Sequence, residues 1–168
     1  MRRGFQVRPE GRSDLDAIRT VNREAFGSEA EADLVDALRA NGEAALSLVA
    51  ENDSGVVGHI LFSHLPIRTS ARDVAAVALA PMSVLPRWQR RGVGSALVRT
   101  GLDRCREAGL EAVVVLGHPT YYPRFGFSAR LAEPLQAPFS GPAFMALELV
   151  PGALSAGGVV HYPDAFLD

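Results

Sequence analysis

The sequence predicts a single-domain, mixed α/β (α+β) fold with a central sheet of about six or seven strands and helices on both faces. Long apolar runs at 74–82 and 111–117 are typical of strands that are buried on both sides of a sheet. Segments with apolar residues at helical spacing alternate with these and with shorter strand-like stretches. The resulting order, β-α-α-β-β-β-α-β-α-β, is typical of helices layered on a mixed sheet.

The first part of the chain carries clear signals for where its elements begin. Residues 5–9 alternate apolar and polar side chains and predict the first strand. Ser13 with Asp16 predicts a capping box in front of one helix, and Ser28 with Glu31 predicts a second box in front of the next. These signals place two consecutive helices directly after the first strand.

The rest of the chain reads as strands, a long helix and a tail. Turn residues at 52–55 between two apolar stretches predict a hairpin. The remaining predicted elements are a buried strand at 73–85, a helix at 92–109, a buried strand at 111–117, a short helix at 120–127 and a strand at 143–150. We place the domain at 5–150 and expect 151–168 to pack on it as a tail. Whether the tail adds an edge strand or only crosses the surface stays open.

Composition excludes several kinds of protein. The formal net charge is −2, so no overall field would hold nucleic acid or an anionic membrane. All seventeen basic residues are arginines, which excludes a Schiff-base lysine and the lysine of a P-loop. Cys105 is the single cysteine, so no internal disulfide is expected, and its helical spacing predicts a buried apolar position.

No membrane segment and no metal site are expected. The start of the sequence lacks the apolar stretch of a signal peptide, and the longest apolar run is too short to cross a bilayer, which predicts a cytoplasmic protein. His59 and His64 lie five residues apart on one predicted strand, so they face opposite sides of it. His118 and His161 are distant in sequence from both.

The stretch "PRWQRRGVGSAL" (86–97) predicts an anion site. It joins a buried strand to a helix, and the first N–H groups of a helix, with the positive end of its dipole, favour an anion. Gly92 and Gly94 would let a bulky anion approach the main chain, and Arg87, Arg90 and Arg91 add positive charge. Cations at a helix N-terminus oppose the dipole by about 0.3–1 kcal/mol each, which favours a compensating anion.

Three features of the sequence resemble the GNAT superfamily of acyl-CoA N-acyltransferases. Gln89-x-x-Gly92-x-Gly94 is similar to the family's pyrophosphate turn, and "MSVLP" (82–86) is similar to the strand before that turn. "GHPTYYPRFGF" (117–127) resembles a branch of predicted N-acetyltransferases in this family. A P-loop is excluded because no GK[ST] follows the glycines, and the dinucleotide fingerprint lacks its third glycine.

The resemblance implies a binding site for acetyl-CoA and a sheet that splays between the fourth and fifth strands. The main-chain amides of the turn would hold the pyrophosphate, and the strand before it would pair with the pantetheine arm. An amide near the end of that strand would serve as the oxyanion donor. The implied cofactor-binding residues are Met82, Ser83, Val84, Gln89, Arg90, Arg91, Gly92, Val93, Gly94, Ser95 and His118.

Tyr122 matches the family tyrosine that protonates the leaving thiolate, a role that suits a phenol. For His118 two interpretations stay open, a bond to pantetheine or a place in a turn, because Val115 stands where the common family pattern has an asparagine. No general base is assigned. Asp73, Glu29 and Glu31 are the carboxylates considered for it, and the last two are equally explained by helix N-terminal roles.

Together these features predict an N-acetyltransferase that moves the acetyl group of acetyl-CoA to a primary amine by direct attack in a ternary complex. The acceptor would be a small-molecule or peptide amine, with no metal and no nucleic acid as partner. The resemblance also suggests a homodimer. The alternative function is a non-catalytic sensor of coenzyme A, or of another polyanion, on the same fold.

Overall fold

The computed structural model describes residues 4–167. Within that range the α-helices are α1 (Leu15–Phe26), α2 (Ala30–Ala40), α3 (Val93–Glu107) and α4 (Ala129–Ala132). The strands are β1 (Gln6–Pro9), β2 (Ala44–Asn52), β3 (Gly55–His64), β4 (Ile67–Arg68), β5 (Asp73–Val74), β6 (Ala76–Val84), β7 (Ala112–Leu116), β8 (Leu135–Gln136), β9 (Phe144–Glu148) and β10 (Gly158–Val160).

The ten strands within residues 4–167 form two sheets. Six of them, in the order β1-β2-β3-β6-β7-β9, make the main sheet. It is mixed, since β6 and β7 are parallel whereas β1 pairs antiparallel with β2 and β7 with β9. The predicted mixed α/β class and the six-stranded sheet are therefore confirmed. In the pairing of β6 with β7, Ala76–Ala78 lie opposite Ala112–Val114. Among the described residues the two strands pair at these three positions only.

The second sheet, β5-β4-β10-β8, has no counterpart in the predicted element order. Its strands are two or three residues long, too short to show an alternating pattern in the sequence. The C-terminal tail contributes β10, which lies between β4 and β8. The tail thus forms a strand, and within this small sheet it is internal rather than at an edge.

The chain divides into two compact units. The first comprises the described residues up to Phe62 together with Pro81–Gly101, and the second comprises Ser63–Ala80 together with the described residues from Leu102 onward. Strands β3 and β6 and helix α3 each continue from one unit into the other.

In the first unit, helices lie on both faces of β3. Successive strand residues point to opposite faces. At Gly58 an added Cβ would lie 2.8 Å from Cγ1 of Val93 and 3.1 Å from Cδ1 of Leu97, so this face meets α3. The next residue, His59, contacts Asn22 of α1 on the other face. The sheet is therefore covered on both sides at this strand, as predicted.

His59 is fully buried in a chain of hydrogen bonds. Burial first, and then the charge of Arg39, lower the pKa of its imidazole to about 3, so the ring is neutral. Asn22 Nδ2 lies 3.2 Å from Nδ1 and can only donate, so Nε2–H donates to the Ser47 hydroxyl at 2.9 Å. Ser47 donates to Glu10, which also accepts from Arg39 at 2.6 Å. The network ties α1 and α2 to the sheet.

The start of α1 differs from the predicted capping box. The carboxylate that organises this segment is Asp14, which accepts a hydrogen bond from the N–H of Gly11 at 2.6 Å, and a 3-10 turn precedes the helix. Asp14 also pairs with Arg8 of β1 at 2.7 Å. The hydrogen bond from Arg8 holds the pKa of this carboxyl below its usual value. The ion pair with Arg8 of β1 therefore makes Asp14 the acidic residue that faces inward.

The second unit has its own apolar core, built mainly around β7 and β9. Fourteen buried residues form one cluster, among them Val114, Phe144 and Ala146. Three aromatic rings pack edge to face at the margin of this cluster. The ring centre of Tyr162 lies 5.1 Å from that of Phe139 and 5.5 Å from that of Phe166. These rings attach the C-terminal segment to the core. Cys105 is buried, as predicted, and burial raises the pKa of its thiol to about 12, which makes it unreactive.

Candidate active site

The end of β6 forms the first part of the candidate site. Ser83 and Val84 are buried, and Met82 is half-buried. Within residues 4–167 the Ser83 hydroxyl is a buried atom with no hydrogen-bond partner. A buried hydroxyl without a partner is costly, so such a group in a native site calls for a functional explanation.

The turn after β6 has the predicted strand-turn-helix form. Pro86–Trp88 make one turn of 3-10 helix, Gln89 is extended, and α3 begins at Val93, one residue after the predicted start. Arg90 has a φ of 62° and Gly92 a φ of 85°, and within the described chain Arg90 is the only non-glycine residue with positive φ. The sign of φ therefore alternates from Gln89 to Val93. Alternation of this kind turns successive N–H groups towards one side and makes a concave anion site.

The main chain of this turn carries a row of free donors. Across residues 4–167, no hydrogen bond is donated by the main-chain N–H groups of five consecutive residues, Arg90, Arg91, Gly92, Val93 and Gly94. Gln89 N–H is engaged, since it donates to Pro86 at 3.3 Å. The free donors coincide with the N-terminus of a fifteen-residue helix, where the dipole also favours negative charge.

Side chains around the turn hold it or add charge to it. Gln89 Nε2 donates to the carbonyl of Val84 at 3.1 Å and ties the turn to the end of β6. The guanidinium of Arg91 lies 5.0 Å from the centre of the Trp88 ring, a cation–π contact. Arg87, Arg90 and Arg91 are exposed, and Ser95 is half-buried in the first turn of α3.

Gly58 is a residue of this site that the sequence prediction missed. Its missing side chain lets β3 approach Val93 and Leu97, the first residues of α3 that face the sheet. A Cβ there would also lie 3.3 Å from the carbonyl oxygen of Ser83. An isolated glycine inside a strand-like run is a known signal of close backbone approach, so "VVGHIL" contained the information.

Tyr122 belongs to the second unit, in a 3-10 turn that ends at Gly126 with a φ of 102°. The ring is buried at 7% exposure and packs edge to face with Tyr121 at 5.1 Å and Phe127 at 5.7 Å. Burial first, and then Tyr121, raise the pKa of its hydroxyl to about 12. Within residues 4–167 no hydrogen bond holds its hydroxyl.

His118 starts the turn that carries Tyr122. Its carbonyl accepts from the N–H of Tyr121 at 3.1 Å and from that of Tyr122 at 3.3 Å, and its side chain is exposed. The main chain of His118 thus takes part in the turn, and a bond from its side chain to pantetheine stays a prediction. The structure groups the predicted residues into two sets: Met82–Ser95 in the first unit, and His118 with Tyr122 in the second.

The carboxylates considered as a base have other partners or are exposed. Glu29 pairs with Arg19 at 2.8 Å, and Glu31 accepts from the Ser28 hydroxyl at 3.4 Å. The predicted second capping box is wrong, because Glu29 is the N-cap residue of α2 and makes no side-chain cap hydrogen bond. The Ser28 hydroxyl instead accepts from the N–H of Ala30 at 3.3 Å. Asp73 is exposed at the start of β5. Within the described part of the chain, no three His, Cys, Asp or Glu side chains are grouped so that they could hold a metal ion. No described helix is long and apolar enough to span a membrane.

Comparison with known sequences finds relatives among acetyltransferases. A family model described as "Acetyltransferase (GNAT) domain" matches residues 6–130. The uncharacterized N-acetyltransferase YhbS of Escherichia coli (strain K12) is 37% identical over 164 residues, which are 95% of this chain and 97% of that protein. The uncharacterized N-acetyltransferase YjhQ of the same organism is 45% identical over 118 residues, which are 69% of this chain and 65% of YjhQ.

Solved structures agree with these matches. The crystal structure of YhbS from Escherichia coli in complex with CoA superposes with a TM-score of 0.89 at 36% identity, and the match covers 98% of this chain and 92% of that one. A GNAT family acetyltransferase from Brucella melitensis in complex with acetyl-CoA gives a TM-score of 0.81 at 37% identity, with 98% and 99% covered. On the match to residues 6–130 and the nearly end-to-end similarity to YhbS, the chain belongs to the GNAT family of acetyltransferases.

Proposed function

We propose that this protein transfers the acetyl group of acetyl-CoA to a primary amine by direct attack in a ternary complex. The observation that carries the proposal is the row of free N–H donors at 90–94, set in a turn of alternating φ at the N-terminus of α3. A diphosphate is the anion that such a row suits, because several donors can share its oxygens. Similarity to proteins solved with CoA and with acetyl-CoA supports this ligand.

Each part of the turn has a separate task in this proposal. The main-chain donors bind the diphosphate, and Arg90 and Arg91 add charge-assisted contacts at its rim. Gln89 keeps the turn in place through Val84. Met82, Ser83 and Val84 offer the backbone of β6 to the pantetheine arm, and a backbone N–H near Val84 stabilises the negative charge that develops on the acetyl oxygen.

Tyr122 is proposed as the donor to the leaving sulfur. With a pKa raised to about 12, its hydroxyl is protonated throughout the physiological range and needs no other group to supply the proton. A phenol of this pKa is a weaker acid than a thiol, so the hydroxyl stabilises the sulfur first as a hydrogen-bond donor while the carbon–sulfur bond breaks.

Two glycines provide a matched test of the turn. Gly92 (φ 85°) and Gly109 (φ 82°) precede and follow α3, and an added Cβ would meet nothing within 4 Å at either. Alanine therefore imposes a similar backbone strain at both positions, but only position 92 lies in the proposed anion site. We expect Gly92→Ala to weaken CoA binding at least tenfold in calorimetry, and Gly109→Ala to retain wild-type affinity with a comparable loss of melting temperature.

Catalysis is tested by thiol release from acetyl-CoA with a panel of amines: an alkyl polyamine, an amino sugar, an amino acid and a peptide N-terminus. We expect turnover with at least one class. Tight acetyl-CoA binding without release on any acceptor would contradict the enzymatic proposal. Equal CoA affinity of the Gly92→Ala and wild-type proteins would contradict the assigned binding site.

A further inference from the structure

We propose that Gly117 is a positioning residue for Tyr122, whose role in catalysis is part of the function proposed above. The two residues are the first and sixth of the "GHPTYY" segment, and the structure brings them into contact. A Cβ at Gly117 would overlap Cε2 of the Tyr122 ring and lie 2.8 Å from its Cδ2. The ring edge thus occupies the space that any side chain at 117 would need.

The glycine is not required by its own backbone conformation. Its φ lies outside the left-handed region, so alanine could adopt the same backbone at this position. Its N–H donates to the carbonyl of Ala143 at 2.9 Å, which anchors it at the start of β9. What excludes a side chain at 117 is therefore the ring of Tyr122, and the anchored backbone cannot readily move away from it.

Packing alone orients the catalytic hydroxyl. Within the described residues no hydrogen bond holds the Tyr122 hydroxyl, so its place follows from the contacts of the ring. Those contacts include the backbone of Gly117 along one edge, the edge-to-face rings of Tyr121 and Phe127, and the tilted ring of Phe125. A methyl group at 117 must displace the ring at Cε2, which is bonded to the Cζ that carries the hydroxyl, so the hydroxyl moves out of its place with the ring.

The test is a double-mutant cycle on kcat with Gly117→Ala, Tyr122→Phe and the double variant. We expect Gly117→Ala to lower kcat about tenfold or more with little change in KM for acetyl-CoA. In the Tyr122→Phe background, which has no hydroxyl to misplace, we expect Gly117→Ala to lower kcat less than twofold further. A residue with only a structural role would lower kcat by the same factor in both backgrounds.

Gly101→Ala is the matched control. Position 101 lies in α3, its φ is also outside the left-handed region, and an added Cβ would overlap the ring of Phe62, at 2.6 Å from Cζ. It therefore imposes the same kind of collision on a buried aromatic ring that takes no part in the chemistry. We expect both alanine variants to lose melting temperature, but only Gly117→Ala to lose kcat per folded molecule.

Should Gly117→Ala fold poorly, Gly117→Ala/Phe127→Leu gives the displaced ring room, since Phe127 is another of its neighbours. We expect this variant to fold and kcat to stay low, below that of Phe127→Leu alone. Wild-type kcat in Gly117→Ala, or an equal loss in both tyrosine backgrounds, would overturn the inference about Gly117. Wild-type kcat in Tyr122→Phe would instead overturn the proposed role of Tyr122.

Discussion

The side-chain amide of Gln89 donates a hydrogen bond over 3.1 Å to the main-chain carbonyl of Val84, five residues earlier. This bond spans the 3-10 turn at Pro86–Trp88 and joins the end of β6 to the residue directly before the row of free N–H donors. It gives a physical reason for a glutamine at the first position of the Gln89-x-x-Gly92-x-Gly94 motif. Its side chain shapes the turn, whereas the following main chain provides the donors.

Replacing Gln89 by methionine is expected to weaken CoA binding. Methionine has a similar length but no donor, so the turn loses its link to Val84, and a neutral hydrogen bond contributes about 1 kcal/mol. We expect the dissociation constant to rise roughly fivefold in calorimetry, in line with that energy. Gln136→Met, at an exposed position of β8, serves as control. An unchanged affinity in Gln89→Met would contradict the bracing role.

Arg90→Gly is expected to stabilise the fold and to weaken the binding of CoA. A non-glycine residue with a φ of 62° costs about 1–2 kcal/mol, and glycine removes that strain at an entropic cost of about 0.4–1 kcal/mol. We therefore expect the free energy of unfolding in urea to rise by about 0.5–1 kcal/mol while CoA affinity falls with the lost charge. Arg87→Gly removes a neighbouring arginine without positive φ and should not stabilise. Equal destabilisation by both would show that Arg90 is not strained.

His59 predicts a specific loss of stability in acid. The unfolded chain takes up a proton at His59 below about pH 6.5, whereas the folded protein does not until about pH 3, because burial disfavours the charged ring. The contribution of His59 to the free energy of unfolding is therefore fully present above about pH 6.5, and it decreases as the pH falls from there towards about 3. When the pH is lowered from about 7.5 to about 5, protonation of His59 in the unfolded chain lowers the free energy of unfolding by about 2 kcal/mol.

The check compares urea unfolding of wild type and His59→Gln at both ends of that range. The variant is expected to be less stable at the higher pH, since it disturbs a buried network, but to lose about 2 kcal/mol less on acidification. Gln136→Met, a change at an exposed position that removes no titratable group, should keep the wild-type pH dependence. If the free energy of unfolding of His59→Gln fell with pH as much as that of the wild type, the imidazole would not be buried in its neutral form.

Tyr122→Phe is expected to lower kcat about a hundredfold across the neutral range without changing CoA affinity, since proton donation typically contributes about 10²–10⁴-fold. Because the pKa of the hydroxyl is raised to about 12, wild-type kcat should show no alkaline decline from this group below about pH 10. Tyr162→Phe alters another buried tyrosine, packed between Phe139 and Phe166, and should leave kcat within twofold. A wild-type decline centred near pH 8 that Tyr122→Phe abolishes would refute the raised pKa.

Much of the fold and of the turn was predictable because the signals are local. The hairpin around 52–55 forms as expected, with Asn52 Oδ1 accepting from the N–H of Ser54 at 2.8 Å. Gly92 and Gly126 both adopt positive φ where their spacing had predicted a turn and a helix end. The roles proposed for Met82–Ser95, His118 and Tyr122 remain predictions that the experiments above address.

The sequence by itself determined the order of the main elements, the position of the cationic turn and the family resemblance, because these depend on residues a few positions apart. Only the tertiary structure decided that Asp14 pairs with Arg8. It also decided that α3 packs against Gly58 and the Tyr122 ring against Gly117, where a side chain would collide. It also decided the second sheet, whose strands come from distant segments. Such contacts depend on which side chains meet in space, and no spacing along the chain specifies that.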